Sequence, residues 1–168
     1  AGLGACARSA RWSQACDLVT RLQGLLEPDV AALNALLSAC EKGREWPQAL
    51  HGFEGLRSSG LKADVISLNS AVSACEKCGQ WYRAVRLFDE ALPSGLPPNV
   101  ITHNAVVSSC EKAGTWEQSV HLVTGMLGRQ LQPNDITYNA LISSCEKAAD
   151  WQRALAALTE MGGMRIAA

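Results

Sequence analysis

The sequence predicts an all-α protein, an α-solenoid of stacked helical hairpins. Three observations carry that prediction. The stretches NALLSACEKGREW (34–46), NSAVSACEKCGQW (69–81), NAVVSSCEKAGTW (104–116) and NALISSCEKAADW (139–151) recur with their opening asparagines 35 residues apart. A fixed period of this size marks a repeat architecture and outranks any local reading. Tryptophan falls at the same point of every unit, as Trp12, Trp46, Trp81, Trp116 and Trp151. Within each unit the apolar residues fall at helical spacing.

The units run 30–64, 65–99, 100–134 and 135–168, the last one residue short, after a partial unit at 1–29 whose loop is one residue shorter. Stacked repeats need polar caps at their ends. Neither end of this sequence reads as one, so the chain is expected to be a stretch of a longer array.

The first helix of a unit is predicted at about 65–77 and its equivalents. Ala105, Val106, Val107 and Cys110 cover more than one stripe of it, as expected of a helix packed between its partner and the neighbouring repeats. A narrow polar line remains, formed by Asn104, Ser108 and Glu111/Lys112, which share a face. In a stack of hairpins that line becomes a ladder along one surface, the candidate functional surface. Ser38, Ser73, Ser108 and Ser143 read as small spacers on it.

The second helix follows from Trp116, Ser119, Val120, Val123, Met126 and Leu127, and from Trp81, Ala84, Val85, Phe88, Ala91 and Leu92, at i, i+3, i+4, i+7 spacing. Its tryptophan is expected in the core. Thr115 and Asp150 stand where an N-cap belongs, and Pro47 falls in the first turn, where proline is tolerated. Gly60, Gly95 and the loops LPPN (96–99) and LQPN (131–134) end the unit.

Composition narrows the function classes. A hydrophobic content of 48% with 18% charged residues describes a folded chain. A net charge of −1 gives no electrostatic argument for nucleic acid. No apolar run approaches the roughly eighteen residues of a membrane span, and the N-terminal AGLGACARSARW reads as repeat rather than as a signal or transit peptide. Five of the seven cysteines (Cys6, Cys40, Cys75, Cys110, Cys145) share one repeat position and read as small packing residues. Cys75-x-x-Cys78 lacks a second pair or a histidine at zinc spacing. His51, His103 and His121 fall at different points of their units and read as exposed or packing residues. No Gly-rich phosphate loop or acidic cluster appears. No catalytic residue, metal site or cofactor is expected.

A unit running VITHNAVVSSCEKAGTW and closing on LQPN resembles the pentatricopeptide repeat of the P type. The resemblance covers essentially the whole chain, with tryptophan where the family commonly has leucine. It implies a right-handed superhelix of 35-residue hairpins that binds single-stranded RNA, about one base per repeat. It implies a base-selecting pair made of the opening asparagine and the last residue of the same unit: Asn34 with Asp64, Asn69 with Asn99, and Asn104 with Asn134. Asn139 opens a further pair, and Asp29 closes the partial one.

Hydrogen-bond chemistry agrees with those pairs. An asparagine offers both donor and acceptor, whereas a carboxylate only accepts. Asp64 therefore suits the ring N–H of uracil, and an Asn99 or Asn134 amide suits the ring nitrogen of cytosine. By resemblance the complete units imply 5′-U-C/U-C/U, a pyrimidine preference. Ile66, Ile101 and Ile136 match the family's base-sandwiching position, where Ala31 departs and offers less stacking area. Lys42, Lys77, Lys112 and Lys147 match positions that approach phosphates, contacts that add affinity without sequence information. A helix-terminal lysine also stabilises the macrodipole, and Glu41, Glu76, Glu111 or Glu146 precedes each and offsets its field.

The resemblance also implies organellar RNA processing, stability or editing, in the mitochondrion or chloroplast. A tetratricopeptide-type protein scaffold is the competing reading, disfavoured by the period and the asparagine column. The RNA-binding part of a larger enzyme, such as a protein-only tRNA-processing nuclease, is a third.

Overall fold

The computed structural model describes residues 30–58 and 60–149, with Gln152, Ala156 and Thr159. The readings placed on Trp12, Cys6, Asp29, Asp150 and Trp151 lie outside the described residues. Among the described residues seven helices and no strand are found, as the repeat pattern predicts: α1 (Val30–Gly43), α2 (Trp46–Ser58), α3 (Val65–Lys77), α4 (Trp81–Ala91), α5 (Val100–Ala113), α6 (Trp116–Gly128) and α7 (Asp135–Lys147). They fall into two compact units, the first ending at Pro97 and the second beginning at Pro98.

In the first unit α1 packs on α2 and α3, and α3 packs on α2 and α4. Leu33, Leu37, Ala39 and Cys40 of α1 are buried, as are Leu68, Ala71, Val72, Ala74 and Cys75 of α3. Ala49, Phe53 and Leu56 of α2 and Ala84, Leu87 and Phe88 of α4 close that core. Gly52 is buried on α2, and a Cβ there would stand 3.4 Å from Leu37 Cδ2, in van der Waals contact across the α1–α2 hairpin. In the second unit α5 packs on α6 and α7, and α6 on α7. Val106, Val107, Cys110, Leu122, Val123, Met126, Tyr138, Leu141 and Cys145 fill that core. The Ser119 and Ser144 hydroxyls, both buried, bond each other at 3.1 Å across α6 and α7.

The helices stop for a shared reason. Arg44, Gly79, Gly114 and Ala149 all adopt left-handed backbone, with φ of 58°, 68°, 71° and 58°. In the first three turns the next residue's amide returns to the cysteine carbonyl: Glu45 to Cys40 at 2.9 Å, Gln80 to Cys75 at 2.9 Å, Thr115 to Cys110 at 3.1 Å. That bond satisfies a helix-end carbonyl, the Schellman arrangement. A second left-handed position recurs as Gly60, Gly95 and Gln130, at 72°, 75° and 60°. The glycines are legible in sequence; Arg44, Gln130 and Ala149 carry no such mark, and position within the repeat alone imposes their conformation.

Three expectations for the second helix need correction. The tryptophans are not core residues: Trp46, Trp81 and Trp116 are half-buried. Each is the first residue of its helix, at the hairpin turn. The Arg83 guanidinium lies 4.3 Å over the Trp46 ring, a cation–π contact, and Trp81 meets Tyr82 edge-on at 5.9 Å. Leu127 is 37% exposed, and the buried face of α6 is Ser119, Leu122, Val123 and Met126. Leu127 stands eleven residues, about three turns, after the half-buried Trp116 and so shares its place at the edge of that face. Thr115 precedes α6 but makes no side-chain cap; its hydroxyl donates to the Cys110 carbonyl at 3.2 Å.

Candidate functional site

The first residues of α3, α5 and α7 follow a common design. Asp64, Asn99 and Asn134 N-cap these helices, accepting the amides of Ser67, Thr102 and Thr137 at 2.8, 3.0 and 3.1 Å. The three hydroxyls in return accept the cap amides at 3.0, 3.2 and 3.1 Å. Each is a reciprocal capping box with a buried hydroxyl residue. The sequence reading assigned Asp64, Asn99 and Asn134 to base selection and missed this second duty. Its signal is present, a cap residue three positions before Ser or Thr.

Each cap also faces the opening asparagine of its own unit where the described geometry tests it. Asn34 Nδ2 donates to Asp64 Oδ1 and Oδ2 at 3.3 and 3.1 Å. Asn104 Nδ2 donates to Asn134 Oδ1 at 3.1 Å. The predicted partners, thirty residues apart, are thus brought together. Asn69 and Asn99 belong to different compact units. Asn139 is exposed on α7.

Burial raises the Asp64 carboxyl, but hydrogen bonds from the Ser67 amide, the Asn34 carboxamide, the Ser67 hydroxyl and the Ile66 amide outweigh it and hold it below the usual carboxylate value. The group is therefore an anionic acceptor at neutral pH.

Apolar residues flank both pairs. Ile66, Ile101 and Ile136 are 64%, 62% and 58% exposed, and Ala31 is exposed as well. An isoleucine left this open on a second helical residue adds little to the fold, and the same repeat position is exposed in both units.

The lysines behave differently from the sequence reading. Lys77 Nζ pairs with Glu41 Oε1 at 2.7 Å, and Lys147 Nζ with Glu111 Oε1 at 2.6 Å and the Glu111 carbonyl at 3.0 Å. The partner is thus the glutamate of the preceding repeat, 36 residues upstream, and not the adjacent Glu76 or Glu146. Adjacent helical residues diverge by 100°, whereas stacked helices bring equivalent turns together. Ser143, read as a spacer, adds a 2.9 Å bond to Glu111. Burial raises the Glu111 carboxyl, but the Lys147 and Ser143 bonds and the Lys147 and Lys112 charges lower it overall. Lys42 and Lys112 are exposed on α1 and α5.

Cys40, Cys75, Cys110 and Cys145 are buried cysteines outside any disulfide, and burial pushes Cys75 up to about 12. Among the described residues no group of three or more His, Cys, Asp or Glu side chains is placed to hold a metal ion, and no helix is long and apolar enough to cross a membrane.

Comparison with known proteins follows the same repeats. The PPR repeat family model matches residues 98–147, the pentatricopeptide repeat domain 53–113, and the single PPR repeat 136–166. The chain belongs to the pentatricopeptide repeat family. No curated protein sequence matches it significantly. Among solved structures of pentatricopeptide repeat proteins, the chain is similar to PPR10 in complex with an 18-nt psaJ RNA element. That match has 27% identity over 94% of this chain and 23% of that one, with a TM-score of 0.76. It is also similar to the PPR domain of Arabidopsis thaliana protein-only RNase P 1 in complex with tRNA. Identity there is 11% over 97% of this chain and 86% of that one, with a TM-score of 0.84. Nuclear proteinaceous RNase P 2 from A. thaliana gives 15% over 95% and 36%, with a TM-score of 0.84. The chain therefore spans about a quarter of the length of PPR10, and the two RNase P likenesses establish the fold.

Proposed function

We propose that this chain is a single-stranded RNA-binding module in which each repeat addresses about one base. The observation that carries the reading is the pairing of Asn34 with Asp64 and of Asn104 with Asn134, each flanked by exposed second residues of successive repeats. Unstacked bases are recognised by edge hydrogen bonds and by side chains packed on their faces. The pairs supply the first and the Ile66, Ile101 and Ile136 column the second. PPR10, to which the chain is similar, was solved with an RNA element, which supports the same class of ligand.

In this reading Asp64 accepts from uracil, and the Asn134 amide donates to cytosine, giving a pyrimidine preference. Lys42, Lys77, Lys112 and Lys147 are the phosphate contacts of this reading, with Lys77 and Lys147 partly neutralised by their glutamates. In this reading the module binds rather than catalyses, its carboxamides, the Asp64 carboxylate and the isoleucines serving recognition. Its setting, by family, is RNA processing, stability or editing in a mitochondrion or chloroplast.

The test is binding of short RNAs of pyrimidine and purine sequence at several salt concentrations. Tighter binding of the pyrimidine series is the expected result. Equal binding of both series, or binding of neither at low salt, defeats the proposal.

A further inference from the structure

We propose that the buried hydroxyl of Thr137 positions the Asn104–Asn134 pair and thereby determines how sharply that repeat discriminates its base. The inference rests on the RNA-binding reading above, and it concerns a residue that touches no ligand.

The orientation of a carboxamide follows only from its hydrogen-bond partners, and here the partners determine it stepwise. The Thr137 backbone N–H can only donate, so the Asn134 atom 3.1 Å from it must be the oxygen. That oxygen also lies 3.1 Å from the Asn104 carboxamide, which must therefore present its NH2 group. Asn104 Oδ1 is then turned towards the Thr137 hydroxyl, 2.5 Å away. Thr137 Oγ1 also lies 3.1 Å from Asn134 Oδ1, but that oxygen already has two donors. The single hydroxyl proton goes to Asn104. The hydroxyl oxygen itself accepts the Asn134 amide at 3.1 Å.

The result is a closed circuit of three side chains whose polarity is set by one helix N-terminus. Asn134 Oδ1 is used up inside the protein, which leaves its NH2 group as the part able to meet a base. The repeat is committed to offering a donor. Without the hydroxyl, Asn104 loses the group that holds its oxygen inward. It can then rotate and offer either edge.

The first pair supplies the contrast. Ser67, at the equivalent position, donates its hydroxyl to the Asp64 backbone carbonyl at 2.7 Å. Asn34 Oδ1 is buried with no hydrogen-bond partner. Threonine and serine at one repeat position thus hold the opening asparagine differently. A β-branched residue has fewer rotamers to choose from in a helix, and Thr137 sits in the one that reaches Asn104.

The experiment uses the full chain and RNAs that differ only at the base assigned to the Asn104–Asn134 pair. Thr137→Ser keeps a hydroxyl, Thr137→Val keeps the shape without it, and Ser67→Thr introduces the second arrangement at the first pair. The Val variant is expected to reduce wild-type discrimination by roughly tenfold, the cost of one lost hydrogen bond at a buried group. The Ser variant is expected to retain most of it. Ser67→Thr is expected to sharpen selection at the Asn34–Asp64 pair. In the ligand-free protein, the Asn104 carboxamide proton resonances should shift in the Val variant and return in the Ser variant.

Unchanged discrimination by the Val variant, or an equal loss of affinity for every RNA, overturns the inference while leaving the RNA reading intact. So does an unmoved Asn104 carboxamide. A wild-type chain that binds no RNA overturns both. If the Val variant does not fold, Ser67→Thr decides alone: no gain in selectivity overturns the inference.

Discussion

Asn34 donates its carboxamide to both carboxylate oxygens of Asp64, thirty residues further along the chain, and the same carboxylate caps the helix of the next repeat through the Ser67 amide. One side chain therefore closes a unit, starts its successor and stands in the candidate base-selecting pair. These duties can be separated by substitution.

Asparagine caps a helix about as well as aspartate. Asp64→Asn should change stability by less than about 0.5 kcal/mol, whereas Asp64→Ala should cost about 1 kcal/mol in urea unfolding. Under the proposed function the Asn variant also shifts the preferred base at that pair from uridine towards cytidine. An Asn variant as unstable as the Ala variant would show that the cap does not behave as described.

Ser109 and Ser144 occupy the position held by Ala39 and Ala74 in other repeats, and all four are buried. Ser144 bonds Ser119, but the Ser109 hydroxyl is buried without a partner. Ser109→Ala should stabilise the protein, by about 1 kcal/mol, because an unsatisfied buried hydroxyl costs about that much or more. Ser144→Ala should destabilise it, since Ser119 then keeps only its 3.4 Å bond to the Thr115 carbonyl. Melting temperatures moving in the same direction would contradict the assignment.

His103 is fully buried on α5, with Nδ1 donating to the Asn99 carbonyl at 2.9 Å. Burial lowers its pKa below 6.5, opposed by the Asn99 bond and aided by the Arg129 charge. A histidine whose folded pKa is depressed stays neutral in the fold while the unfolded chain takes up a proton. Stability from this residue is full above about pH 6.5 and is lost as pH falls towards the lowered value. His103→Leu, which copies Leu68 at the same repeat position, should flatten the dependence between pH 7 and 5. An unchanged pH profile in urea unfolding would count against it.

Arg44 holds φ of 58° where Gly79 and Gly114 hold the same turn. Left-handed backbone costs an L-residue about 1 kcal/mol, and the Cys78 thiol bond there goes to the Arg44 backbone carbonyl. Arg44→Gly should therefore be stabilising, less the extra unfolded-chain entropy that glycine brings. A clear loss of stability would mean that the arginine side chain contributes more than its backbone strain.

Ile101→Ala and Lys147→Gln should separate stacking from charge. Both residues are solvent-facing, so each should cost less than about 1 kcal/mol of stability. RNA affinity should fall in both. For Lys147→Gln the fall is uniform across sequences, with a shallower salt dependence. For Ile101→Ala the salt dependence should be unchanged. Leu37→Ala, at a fully buried position, should instead cost about 2–5 kcal/mol.

Much of this protein is written in its period. A 35-residue recurrence of Asn, Cys and Trp determined the helical hairpins, because a repeating chain must place equivalent residues in equivalent surroundings; the partners Asn34–Asp64 and Asn104–Asn134 followed from the resemblance to the pentatricopeptide repeat. Helical spacing also marked Val106, Val107 and Cys110 as buried, whereas Ala105 is half-buried and Thr102, His103 and Ser109 join the core. Tertiary structure decided what sequence distance conceals. Stacking brings residues about one repeat apart into contact, so Lys147 found Glu111 rather than its neighbour Glu146. The hairpin turn left the Trp46 ring to be covered by Arg83, out of reach of the core. Thr137 and Ser67 read as interchangeable hydroxyl residues, yet of the two only Thr137 bonds the opening asparagine of the preceding repeat. Such choices turn on ångström-scale competition among donors and acceptors, which no periodicity encodes.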